Sequence, residues 1–332
     1  MDDRALLQHL IAGPATGDAL ASAAGQTRAA VWKRIEALRE AGVAIEAKPG
    51  RGYALSQPLD LLDAEAIVAA LSAPTRLRLA ALEVAWSIDS TNSELLRRPT
   101  PAQGVAVLLA ERQTGGRGRR GRVWASPLAA HLYLSLSRSF GGGLARLGGL
   151  SLVAGIAAVE ALQGLGYAAV RLKWPNDLVV LDGYGLRKLG GLLIEGGGEY
   201  AGPARAVIGL GLNVRMPAAA AASIDQPWSD LSGLAGGHAV ARDTVAAALL
   251  ERLLPALDEF DAAGLAPFLD RYAAFDALAG QAISVHGADA THQGIALGLA
   301  DDGALRVRLD DGEERRFHAG EVSVRRAQGA SR

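Results

Sequence analysis

The sequence predicts an α+β protein in three parts. In front stands a helix-turn-helix with a β-wing, in the middle a mixed sheet with a few helices, and behind it a small β-barrel of the SH3-like kind. Three observations predict this. Up to Leu55 the apolar residues recur at helical spacing between strong caps. From about 76 to 278 short apolar strands bunch together and are not each followed by a helix, which favours a mixed sheet over a doubly wound parallel one. After Gly280 short strands alternate with Gly-Ala-Asp and Asp-Asp-Gly turns. The expected domains are 1–58, 59–278 and 279–332.

Leu6, Leu7, Leu10 and Ile11 give the first helix one apolar stripe. Thr16 and Asp18 can cap a second helix over 18–24, and Gly25 supplies a turn. Thr27 is a good N-cap for a third helix over 28–41, with Val31, Ile35 and Leu38 inward and Gly42 at its end. Strands at 43–45 and 53–55 flank the basic tip Lys48 to Gly52. Arg28, Lys33, Arg34 and Arg39 lie off the apolar stripe, and the tip adds Lys48 and Arg51. Such a helix fits a DNA major groove while the wing reaches phosphates, so Thr27, Arg28, Lys33, Arg34, Lys48 and Arg51 are the candidate DNA contacts. A solvated charged helix is the plain alternative. Trp32 stands beside Lys33, bulky enough to alter which DNA sequence is read or to mean that DNA binding is lost.

Ser56-Gln57-Pro58 reads as a linker, followed by a short helix over 61–71 that Ser72-Ala73-Pro74 breaks. Strands are expected at 79–84, 105–110, 132–137, 170–173, 178–181, 188–194 and 206–210. A long apolar helix is expected at 150–163, and amphipathic helices at 244–260 and 265–274. The alanine run at 218–222 reads as a mobile loop. The closing strands are expected at 282–285, 294–299, 305–309, 315–318 and 321–324.

Lys plus Arg (34) nearly cancels Asp plus Glu (35), so any nucleic-acid contact must come from a local patch. There are no cysteines, which excludes disulfides, thiolate zinc sites and thiol nucleophiles. The six histidines include no H-x-x-x-H pair, which argues against a transition-metal catalytic site. Nothing reads as a signal peptide or a membrane span, so a soluble cytoplasmic protein is expected.

The most unusual segment is Glu111 to Arg122, containing Gly116-Arg-Gly-Arg-Arg-Gly121. It matches a dinucleotide fingerprint formally, but that fingerprint opens a helix, whereas Ser126-Pro127 and a strand follow here. Glycines let backbone N–H groups approach an anion and the arginines add planar charge, so the loop reads as a phosphate or carboxylate clamp. An RGG-like nucleic-acid tract and a merely solvated loop are the alternatives. Arg171-Leu-Lys-Trp-Pro-Asn-Asp177 gathers a cation, an aromatic, an amide and a carboxylate at a strand end, where Asp177 could hold Mg²⁺ or simply belong to a turn. Lys188 opens a glycine-bearing strand, as a snorkelling edge residue or as a cation aimed at a substrate. Ser90-Thr91-Asn92 has a turn and cap as its plain reading, and Gly209-Leu-Gly-Leu-Asn213 lets something pack closely on the backbone.

The order and spacing of these blocks decide between the readings. Ser90-Thr91-Asn92, Gln113-Thr114 with the arginine–glycine loop, Lys173-Trp-Pro-Asn-Asp177, Lys188-Leu-Gly-Gly and Gly211-Leu-Asn213 together resemble the biotin protein ligase family. The winged helix in front makes the chain similar to the bifunctional ligase and biotin operon repressor type. The resemblance implies a central fold like that of biotin ligases and class II aminoacyl-tRNA synthetases. It implies ATP, biotin and Mg²⁺ as reactants and cofactor. It also implies a biotin carboxyl carrier protein, operator DNA and an adenylate-bound homodimer as partners, with no membrane.

By that resemblance Ser90, Thr91, Asn92, Gln113, Arg117, Gly118, Arg119 and Lys188 contact biotin or its adenylate. Arg119, Arg120, Asn176, Asn213, Trp228 and Arg325 serve the nucleotide, and Arg119, Lys188 and Asp177 carry the chemistry. The stretch Asp182 to Arg187 is longer than the family's usual hairpin, which puts the reach of Lys188 in question. Three rival readings stay open: a ligase with a vestigial winged helix, a biotin-sensing transcription factor, and a lipoate ligase.

Overall fold

The computed structural model describes residues 2–48, 50–141, 143–183, 185–198, 204–238, 240–287, 290–320 and 322–326. The chain begins with α1 (Asp3–Ala12), α2 (Gly17–Ala24), α3 (Arg28–Glu40) and the antiparallel pair β1 (Ile45–Lys48) and β2 (Gly52–Leu55). Thr16 and Thr27 cap α2 and α3 through their hydroxyls, accepting from Ala19 N and Ala30 N. Leu6, Leu7, Leu20, Val31, Ile35 and Leu38 close a small core. The first wing strand lies two to three residues later than the expected 43–45, the second falls within one residue of 53–55, and Pro49 of the tip is outside the described residues.

The middle of the chain runs α4 (Ala64–Ala70), α5 (Ala73–Arg76), β3 (Leu79–Ala85), α6 (Thr91–Arg97), β4 (Val105–Ala110), β5 (Leu132–Phe140), α7 (Leu150–Gly164), β6 (Val170–Lys173), β7 (Asp177–Asp182), β8 (Gly185–Gly198) and β9 (Ala204–Leu212). Then come α8 (Ala218–Ala221), α9 (Leu231–Leu234), α10 (Arg242–Ala263) and α11 (Leu269–Phe275). Seven strands form one mixed sheet in the order β3-β4-β5-β9-β8-β7-β6, with only β3 and β4 parallel. The alanine run expected as a loop is one helical turn, α8, in keeping with the high helix propensity of Ala and a proline just ahead. The helix α6 was not expected. The Ser90-Thr91-Asn92 cap was read, but not the helix that it caps.

The side chains of β5, β8 and β9 alternate between the two faces of this sheet. Leu134, Leu210 and Leu192 pair across neighbouring strands and are buried in the core that holds α7 and α10. The window Leu147–Gly164 is long and apolar enough to cross a membrane by length and composition, and 67% of it is buried inside the protein as this core helix.

The chain closes with β10 (Ala282–His286), β11 (Thr291–Leu299), β12 (Leu305–Leu309), β13 (Glu314–Phe317) and β14 (Ser323–Arg326), an antiparallel five-stranded sheet ordered β13-β12-β11-β10-β14. The last strand falls two residues later than expected, and Glu321 lies outside the described residues.

Candidate functional site

The site face of the central sheet is read from its register. One row runs Tyr133, Gly211, Gly191, Asp177 and Lys173 across β5, β9, β8, β7 and β6. The next runs Ser135, Gly209 and Leu193. Glycines at 191, 209 and 211 therefore make a floor with no side chains. Two of them are needed: a Cβ at 209 would lie 2.3 Å from Asn92 Oδ1, and one at 211 would lie 2.6 Å from the Trp124 ring. Over this floor lies a cavity of about 160 Å³, walled by Ser90, Thr91, Asn92, Gln113, the arginine–glycine loop, Lys173 to Asp177, and Val322 and Val324 of the last segment.

At one end the polar groups bind one another. Thr91 donates through its N–H to Gln113 Oε1 at 2.9 Å, and its hydroxyl lies in hydrogen-bond contact with Ser135 Oγ at 2.7 Å. Asn92 Nδ2 donates to Glu195 Oε2 at 2.9 Å, and its Oδ1 accepts from Ser135 Oγ at 2.6 Å. Arg117 donates to Ser93 Oγ at 2.9 Å and ion-pairs with Glu195 at 3.3 Å. Ser90 caps α6, accepting from Ser93 N at 3.3 Å. This end offers paired donors and acceptors beside apolar walls.

The other end is cationic. Lys188 Nζ lies 2.7 Å from Asp177 Oδ1 and 5.4 Å from the centre of the Trp124 ring. A register shift sets it there. Leu178 pairs with Gly190 but Val179 pairs with Lys188, so one extra residue, Leu189, is taken up on β8. Without that bulge Lys188 would fall opposite Val180 and point to the other face. The long 182–187 hairpin therefore does not keep Lys188 from the site. Burial pushes the Lys173 ammonium below its ordinary value. Asp177 opposes that push, while Lys188, Arg325 and Arg122 add to it. Arg119 is lowered mainly by burial and next by Arg120. Its guanidinium donates to Asn176 Oδ1 at 3.2 Å and to the Ala319 carbonyl, joining the loop to the Trp-Pro-Asn turn and to the closing sheet. Arg120 takes a left-handed φ of 56°, uncommon for a non-glycine residue.

Not every expected residue lines this cavity. Asn213 is buried and donates to the carbonyls of Lys188 (3.4 Å) and Ser229 (3.0 Å). Trp228 lines a separate recess, next to where the 227–229 segment bonds the Lys188 backbone. Arg325 is outside the lining, though its charge reaches Lys173. Conversely, Lys173, Ser135, Arg122 and Glu195 belong to the site and were assigned no role from sequence. Lys173 stands inside the Arg171–Asp177 block, and two-residue alternation along β8 from Leu193 would have placed Glu195.

The winged helix brings Arg28, Lys33 and Arg51 to the surface, with Arg28 in an exposed ion pair to Asp18 at 3.2 Å. Lys48 pairs with Glu46 at 3.2 Å. Thr27 spends its hydroxyl on the helix cap. Arg34 is tied inward, to Asp3 at 2.5 Å and Gln26 at 3.3 Å.

Three family models match: the biotin/lipoate A/B protein ligase family over residues 84–213, a helix-turn-helix domain over 4–54, and the biotin protein ligase C-terminal domain over 279–325. The bifunctional ligase/repressor BirA of Escherichia coli is 39% identical over 313 residues, 94% of each chain. The biotin–[acetyl-CoA-carboxylase] ligase of Paracoccus denitrificans is 34% identical, over 68% of this chain and 93% of that protein. The biotin protein ligase of Aquifex aeolicus, solved in complex with biotin and ATP, superposes with a TM-score of 0.62 at 25% identity, covering 75% of this chain and all of that one. The chain belongs to the biotin protein ligase family, in the bifunctional type that carries a helix-turn-helix domain ahead of the ligase fold.

Proposed function

We propose that the protein joins biotin to ATP, giving biotinyl-adenylate and pyrophosphate, and then passes the biotinyl group to a lysine of a biotin carboxyl carrier protein. The observation that carries this is the glycine-floored cavity with a neutral, hydrogen-bonding end and a cationic end. Ser90, Thr91, Asn92 and Gln113 suit the ureido ring, which presents one carbonyl and two N–H groups. Arg117 and Gly118 border it. Lys188, Arg119, Arg120 and Asn176 face the carboxylate and phosphates, with Lys173 and Arg122 beside them. Asn213 supports the nucleotide side through the Lys188 strand, and Trp228 and Arg325 need a loop movement to reach it.

In the first step a biotin carboxylate oxygen attacks the α-phosphorus and the bond to pyrophosphate breaks. In the second the carrier amine attacks the acyl carbon, AMP leaves with the bonding pair, and the amine gives up a proton. No covalent enzyme intermediate is needed. The chain's contribution is to align the reactants and to stabilise charge on the phosphates. Among the described residues no group of three His, Cys, Asp or Glu side chains could hold a metal. One carboxylate, Asp177, still fits Mg²⁺ that arrives on the nucleotide, because Mg²⁺ commonly takes one or two carboxylates plus substrate phosphates. Mg²⁺ there would neutralise phosphate charge.

The remaining readings complete the proposal. Domains 1–58, 59–278 and 279–332 act as DNA reader, catalytic unit and SH3-like closing barrel. The protein is soluble and cytoplasmic, and the adenylate-bound form is a homodimer that sets two winged helices on operator half-sites. The test is incubation with ATP, Mg²⁺ and either biotin or lipoate, followed by mass spectrometry. Biotinyl-adenylate with biotin alone supports the reading. Lipoyl-adenylate alone, or no adenylate at all, refutes it.

A further inference from the structure

The recognition helix carries a feature that nothing in the ligase chemistry uses. Trp32 on α3 is 53% exposed, although tryptophan is a residue that folding normally covers. It sits one helical turn after Arg28 and next to Lys33. Val31, Ile35 and Leu38 take the opposite, buried side of the helix. The exposed face is also polarised along its length. Its N-terminal half holds Arg28, Ala29, Trp32 and Lys33, and its C-terminal half holds Ala37 and Glu40. In helix-turn-helix proteins the N-terminal residues of the recognition helix meet the base edges. Here that half carries Lys33 and Arg28, the latter in an exposed pair with Asp18 that costs little to exchange for a phosphate, has a small residue at Ala29 that lets the backbone come close, and centres on one large apolar ring. The wing adds Lys48 and Arg51 for the phosphates.

Cations on either side fix the occupant as a polyanion. A flat apolar ring between them calls for an apolar feature inside that polyanion. In the major groove of duplex DNA the only such feature on a base edge is the thymine 5-methyl group. We propose that Trp32 is a specificity-determining residue that packs its indole on a thymine methyl in each operator half-site. This rests on the repressor reading given above. Covering one methyl-sized group contributes about 0.8 kcal/mol, or about a fourfold preference for thymine over uracil.

The test uses the full chain with biotin, ATP and Mg²⁺, and a randomised duplex DNA library. After selection, the enriched duplex is resynthesised with uracil in place of each thymine in turn, and affinities are measured at fixed salt. The expected result is a loss of about fourfold at one thymine position per half-site with the unaltered protein, and a ratio near one for Trp32→Ala at that position. Trp32→Phe should keep part of the preference. Enrichment of a defined sequence in which every uracil duplex binds as tightly as the thymine one overturns the role of Trp32 and leaves the repressor reading standing. Enrichment of no sequence overturns both. Because the uracil duplexes test the contact with unaltered protein, a Trp32→Ala chain that misfolds leaves that comparison intact.

Discussion

Gly211→Ala tests the floor of the cavity. The new methyl would begin 2.6 Å from Trp124 Cε2 and 2.8 Å from Cζ2 and Nε1. Ordinary contact starts near 3.4 Å, so the indole must retreat by roughly 0.8 Å. The backbone cannot yield instead, because Gly211 is paired to Tyr133 on one side and Gly191 on the other. The indole's open side is the cavity that it lines, so it moves into the space proposed for biotin. Overpacking of this size costs about 1–3 kcal/mol. If biotin must push the ring back, that cost falls on binding, as a rise of about 5- to 150-fold in the KM for biotin. The KM for ATP should move less, and the melting temperature little, since the free protein relaxes into empty space. Adenylate formation followed by pyrophosphate release measures the first two, and a thermal melt the third. Trp124→Leu in the same chain should recover much of the loss. An unchanged KM for biotin with a lowered Tm would refute the reasoning, since the strain would then sit in the fold and not in the pocket.

Other outcomes follow from buried charge and from the loop. His131 is fully buried and held neutral, its pKa pushed down to about 3 by burial, with the Arg242 charge adding to the push and a backbone bond at Ala130 opposing it. Its folded pKa is therefore below the unfolded one. Stability is complete above about pH 6.5 and is lost as pH falls from there toward 3, at about 1.4 kcal/mol per unit; His131→Gln should flatten that slope in urea titrations at pH 7, 6 and 5. Arg242 and Glu111 are 1% and 0% exposed and 2.8 Å apart. Glu111→Leu leaves Arg242 with Asp60 as its remaining carboxylate partner and strands the Leu62 N–H, so about 3 kcal/mol should go, read as a Tm drop on the order of 10 °C. Arg119→Gly removes the donors to Asn176 and Ala319, and the adenylate should leave about 10- to 100-fold faster, as stopped-flow release would show. Equal release rates would remove the clamp role.

Much of this was legible in the residues. The winged helix could be read because Thr16, Thr27, Gly25 and Gly42 mark each helix end, and the inward triplet Val31, Ile35 and Leu38 repeats at helical spacing. The site blocks could be read because each sits next to a strand end. What stayed hidden depends on contacts far apart in sequence. Ser135 looks like any polar residue in an apolar strand until Thr91 and Asn92 arrive from 40 or more positions away. Arg34 looks like a groove contact until Asp3 turns out to hold it. Lys188 could be aimed only by family resemblance and not by its strand pattern, since its direction depends on a one-residue bulge that leaves no mark in composition.

That bulge also explains the balance of charge in the site. Asp177 is the one carboxylate in the row, and it is shared among Lys188, Lys173 and Arg119. Cations gathered so closely repel one another, and the lowered Lys173 and Arg119 show that burial and like charge act against them even with Asp177 present. A fold selected for stability alone would not keep such a cluster. The arrangement becomes favourable when an anion of several charges enters, because each cation then gains a partner at once and the desolvation already suffered in the empty cavity need not be met again on binding. The glycine floor lets that anion lie against the strands. The arginine–glycine loop, tied at Asn176 and Ala319, brings further charge from above. Electrostatic strain in the empty site and affinity for a phosphorylated ligand thus have one cause, the cation-facing side of β6, β7 and β8.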